Sequence, residues 1–106
     1  MFEDIYCSPE KFGLETIGEL DLDDESYQFD ILLVQRSKLT GTFYINRDSG
    51  CSCPSPFENY TTLDSVGRPF TAHEAVAKIR SECADVDNWS GYKPDPSNLI
   101  SAVMNA

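Results

Sequence analysis

A chain of 106 residues, 41% of them hydrophobic and 11% aromatic, has room for one domain, 1–106, around a modest core, and its composition is not that of a disordered chain. Eighteen acids against eight bases give a net charge of −10, a field that repels a phosphate backbone and argues against direct nucleic-acid binding. No apolar run approaches the ~20 residues of a membrane span, and the acidic start Met1-Phe2-Glu3-Asp4-Ile5 is unlike a secretory signal, so a cytosolic protein with free thiols is expected.

Ser8-Pro9-Glu10-Lys11-Phe12-Gly13 reads as one short helical turn, with Ser8 as cap, Pro9 at the first position and Gly13 as the left-handed exit. A strand from Leu14 to about Leu22 follows, Leu14, Thr16, Leu20 and Leu22 on one face and acids on the other; Ile17 breaks the alternation. Tyr27 to Gln35 is a central strand, apolar on both sides over Ile31, Leu32, Leu33 and Val34. Ser37 to Gly41 is a turn, and Thr42-Phe43-Tyr44-Ile45-Asn46 a third strand.

From Asp48 to Pro69 the composition is that of a loop, with Pro54, Pro56 and Pro69, Gly50 and Gly67, and many Ser, Thr and Asn. A helix opens at Thr71, which forms a capping box with Glu74, and runs along Ala72, Ala75, Val76, Ile79 and Cys83. A second loop, Asn88 to Pro94, carries Trp89 and Tyr92. It leads to a last helix capped by Asp95, with Leu99, Ile100, Val103 and Met104 as its apolar stripe. The expected fold is α+β: a three-stranded antiparallel β-meander with two to three helices packed on one face.

Three constellations could carry function. Cys51-Ser52-Cys53 with His73 has the donor types zinc takes, although a single-residue spacer is shorter than the usual two to four. The ordinary reading is that Cys51 and Cys53 stiffen a proline-rich loop while Cys7 and Cys83 fill core space. The same thiols could serve a thiol enzyme paired with His73, but no local catalytic signature accompanies them.

The acidic run Glu19, Asp21, Asp23, Asp24, Glu25 fails as a calcium loop, because Ser26 stands where glycine belongs and Leu32 where the bidentate Glu is needed. It reads either as a charged strand edge or, through Asp21, Asp23 and Asp24, as a mimic of nucleic-acid phosphates. Trp89 and Tyr92 either close over the core edge or anchor a protein partner. No phosphate-binding loop, dinucleotide fingerprint or nucleophile elbow is present.

Ser8 to Leu14, the stretch GCSCPSPFE from Gly50 to Glu58, and Thr71-Ala72-His73-Glu74-Ala75 together resemble a family of small uncharacterised proteins encoded by bacteriophages of actinobacteria. The resemblance runs from about Tyr6 to about Arg80. It implies a phage product working in the host bacterial cytoplasm, and brings no known activity, cofactor or catalytic residues. The expectation is therefore an accessory, non-enzymatic protein that binds a host or phage protein. The alternatives are a zinc-stabilised binding module, an acidic DNA-mimic inhibitor, or a minor virion component.

Overall fold

The middle strand organises everything else. The computed structural model describes residues 4–22, 28–51, 57, 60–91 and 93–106. Strands β1 (Leu14–Asp21), β2 (Gln28–Ser37) and β3 (Phe43–Cys51) form an antiparallel sheet in the order β1-β2-β3, followed by helices α1 (Ala72–Ser90) and α2 (Ser97–Met104). This is the α+β meander that the hydrophobic alternation predicts.

Both faces of β2 are covered. On one side Leu32 and Val34 join Phe43, Ile45, Ala75, Ile79, Val86, Leu99 and Val103, with α1 lying against β3 and α2 against β1. On the other, Leu33 packs with Leu14, Ile5, Phe57 and Val66, supported by Tyr6, Phe12 and Tyr60. Leu32, Leu33 and Val34 are all fully buried, and each contributes about 1.5–3 kcal/mol by leaving water. The second face is thus sealed by the N-terminal segment and the connection before α1 rather than by long helices. One short 3₁₀ turn, Pro9–Phe12, belongs to that covering.

Ile17 interrupts the alternation of β1 because the strand carries a bulge there. Thr16 pairs with Gln35, yet Gly18 pairs with Val34, so the extra residue moves the following even positions to the opposite face. Leu14 therefore packs with Leu33, while Leu20 and Leu22 pack toward the helices. Gly18 sits where α2 comes closest: a Cβ built there would lie 2.9 Å from Leu99 Cδ1.

Strand β2 runs to Ser37, two residues past its expected end, and β3 and α1 outrun theirs by more. Strand β3 continues through Arg47-Asp48-Ser49-Gly50 to Cys51, residues with loop composition, because Phe29 to Leu32 of β2 offer a continuous ladder to pair with. Helix α1 runs on to Ser90, through the segment expected to be loop, and stops at Gly91, whose φ of 76° gives the left-handed exit. Its start is as expected. Thr71 Oγ1 accepts from the Glu74 N–H (3.2 Å) and Glu74 Oε1 accepts from the Thr71 N–H (3.0 Å). The hydrogen bond from the Thr71 N–H also holds the Glu74 carboxyl below the usual glutamate range.

Candidate functional site

The residues singled out from the sequence do not gather in one place. Two backbone hydrogen bonds tie Phe70 to Phe43, which puts the start of α1, and His73 with it, at the first end of β3. Cys51 closes the other end of that strand, roughly 26 Å away at the usual rise per residue. Cys53 lies outside the described residues. Of the other thiols, Cys83 is buried in the helix-side core as expected, but Cys7 is exposed, a correction to its reading as a core residue. Burial, the charge of Asp4 and a hydrogen bond to it raise the Cys7 thiol, and burial followed by Glu82 raises Cys83, so neither is an activated nucleophile.

Asp21 is exposed at the end of β1, whereas Asp23 and Asp24 lie outside the described residues. Trp89 belongs to the last turn of α1 instead of a loop. Tyr92 also falls outside the described residues.

What the structure does form is a cleft between the two helices. The start of α1 and the end of α2 enclose about 420 Å³ lined by Ala72, His73, Val76, Arg80, Ile100 and Met104. Ala72, Val76 and Arg80 recur every four residues along α1, and Ile100 and Met104 do so along α2, so both rows face the same opening. Val76, Ile100 and Ala72 also pack on the core, which fixes the floor of the cleft. Met104, 65% exposed, forms its adaptable rim. Past Arg80 and Ile100 the opening continues as a shallower space beside Asp95, Pro96 and Ser97. The N-cap of α2 is Pro96 and not the expected Asp95, one residue earlier, whose Oδ1 accepts from the Ser97 N–H (3.0 Å), a bond that holds this carboxyl below its ordinary range.

Elsewhere several polar side chains are committed to the fold. Arg47 donates to both carboxylate oxygens of Asp30 and to Glu82, and Lys78 reaches Glu82 at 3.0 Å, tying β2 and β3 to α1. On the opposite face the Gln35 amide, fully buried, donates to the Ile5 carbonyl and the Thr16 hydroxyl. Asp4 Oδ1 accepts from the Tyr6 and Cys7 N–H groups, closing a turn at the N-terminal segment. Among the described residues no cluster of three His, Cys, Asp or Glu side chains is arranged to hold a metal ion.

The model of a domain of unknown function, DUF7574, matches residues 3–106. The chain belongs to that family. No curated protein and no solved structure matches it. Among the described residues of this DUF7574 domain, no helix is long and apolar enough to cross a membrane.

Of the cleft residues, sequence reasoning singled out His73 for metal, not for this surface, and placed Met104 on an apolar stripe; Arg80 escaped it. The four-residue spacing Ala72-Val76-Arg80 was the available signal. It lacked force because a strip of helix is recognised as a surface only once the second helix is known to lie beside it.

Proposed function

We propose that this DUF7574 domain is a small accessory protein that acts by binding another protein, and that the α1/α2 cleft is the contact surface. The observation that carries the reading is the cleft itself: a fixed apolar floor with an exposed methionine at its rim, the composition of surfaces that accept a partner's apolar side chains. The resemblance of Ser8–Leu14 and the GCSCPSPFE stretch to actinobacteriophage proteins supports a phage product acting in the cytoplasm of an infected bacterium.

The test is site-specific photo-crosslinking during infection. A photoreactive residue replacing Met104 should yield an adduct that the same residue at exposed Thr61 does not. The captured protein, identified and purified, should bind the intact domain and lose affinity for Met104→Asp. Equal adducts at both positions, or unchanged affinity of the variant, would overturn the reading.

A further inference from the structure

The arginines of this chain separate into those the fold has used and one it has not. Carboxylates outnumber bases by 18 to 8. Arg36 pairs with Glu15, Arg47 with Asp30, Glu82 and Asp85, and Arg68 stacks over the Phe70 ring at 4.6 Å. Of the four arginines, Arg80 alone has a side chain with no ion pair, hydrogen bond or ring contact among the described residues, and it is exposed at the wall of the apolar cleft. Its guanidinium therefore remains available there, next to Val76 and Ile100, with five donors in a planar fork suited to a carboxylate.

Resting on the docking surface proposed above, we infer that the cleft accepts an amphipathic helix whose apolar side chains fill the space over Val76, Ile100 and Met104 and whose Asp or Glu pairs with Arg80. The local charge of Arg80 selects this occupant, against a net charge of −10 that opposes an acidic partner at long range. A basic segment would leave Arg80 facing a like charge, and a wholly apolar one would cover its donors without satisfying them. The length fits as well, since Ala72 to Arg80 spans about 12 Å of helix, a little over two turns of a docked partner. Asp95 lines the adjoining space with Arg80, its Oδ1 accepting from the Ser97 N–H, and no ion pair joins the two side chains.

The probe is a synthetic 15-residue helical peptide with a leucine seam flanked by glutamates, used beside versions carrying Gln or Lys in place of every Glu. Binding to the intact domain is followed by fluorescence anisotropy, and its location by the backbone amides of Ala72, Val76 and Ile100. The glutamate peptide should bind about two- to fivefold more tightly than the glutamine one, and Arg80→Gln should erase that difference. Arg80→Glu should instead favour the lysine peptide. Arg80 and Met104 are exposed, so their variants should fold like the parent.

Equal binding of the three peptides, abolished by Met104→Asp, would overturn the carboxylate inference while leaving the cleft as a docking surface. Binding that shifts amides elsewhere, or no binding at all, would overturn the inference too, with the docking surface then judged by crosslinking at position 104. A concentration-dependent dimer that buries this face would overturn it in favour of a second copy as occupant.

Discussion

Arg47 grips Asp30 with a two-pronged contact, Nε to Oδ1 at 2.8 Å and Nη2 to Oδ2 at 2.6 Å, and the aspartate is only 7% exposed. The carboxylate stabilises the guanidinium so well that the Arg47 pKa lies above its already high ordinary value. Because Arg47 retains some solvent contact, the pair does not carry the full desolvation cost of a deeply buried one. Its Nη1 donates to Glu82, and so one side chain joins two strands to a helix.

Removing the arginine leaves a buried aspartate unpaired. Arg47→Ala should cost about 3 kcal/mol in urea unfolding, whereas the double variant Asp30→Leu with Arg47→Met should recover much of that loss. A single-variant loss below about 1 kcal/mol would show that water replaces the guanidinium at no great cost.

Glu82 supplies a pH dependence. Burial alone would raise its carboxyl, but the hydrogen bonds and charges of Lys78 and Arg47 outweigh burial and hold it below the ordinary value. A folded-state pKa below the unfolded one gives stability that is present above the unfolded value, about 4.3, and lost as pH falls through the folded one. The stability difference between the parent and Glu82→Gln should thus be largest near neutral pH and shrink in acid. A difference that stays constant from pH 7 to pH 3 would contradict the assignment.

Tyr6 gives the opposite limb. Burial, with the Glu19 carboxylate accepting from its hydroxyl at 3.0 Å, pushes the phenol up to about 12. The neutral phenol is favoured in the fold, so this contribution is complete below about pH 10 and disappears as pH rises through the folded value. Ultraviolet titration should find a late ionisation near pH 12 that Glu19→Gln brings down, separate from that of Tyr60, which burial and the Asp48 charge also raise. If Tyr6→Phe leaves the late transition in place, the assignment is wrong.

Gly18 leaves room for the Leu99 side chain. Gly18→Ala brings a methyl to 2.9 Å from Leu99 Cδ1, inside a core where Leu99 is 5% exposed, and should cost about 1 kcal/mol through displacement of α2. Leu99→Ala should show a smaller penalty in the Gly18→Ala background than alone, since the two side chains compete for one space. Strict additivity in the double-mutant cycle would rule out that contact as the cause.

Gln35 anchors the N-terminal segment. Gln35→Met keeps the volume but removes the donor to the Ile5 carbonyl, and should cost about 1–3 kcal/mol. Hydrogen exchange should locate the loosening at Ile5, whose own N–H donates to the Tyr60 carbonyl. Uniform loss of protection across β2 would point to a general core defect instead.

Local chemistry determined much of this architecture from the sequence alone. The apolar alternation of β2, the Thr71-Glu74 capping box, and the proline that opens and the glycine that ends the turn Pro9–Phe12 act over a few residues, so their outcome is written in those residues. Ile17 announced an irregularity, although its nature as a bulge that reverses the faces of β1 needed the partner strand. Pairing with β2 decided that Arg47 to Cys51 are strand, because a ladder can override loop composition where hydrogen-bonding partners are already fixed.

Tertiary structure also decided which charges meet. Arg47 and Glu82 are far apart along the chain, and nothing local foretells that one would neutralise the other. Likewise, the isolation of Arg80 beside an apolar cleft exists only because α2 lies against α1 and every other arginine has found its partner elsewhere. Hydrogen bonds, hydrophobic periodicity and caps are short-range and can be read in order. A binding surface is set by distant segments that share a boundary, and only the folded chain contains it.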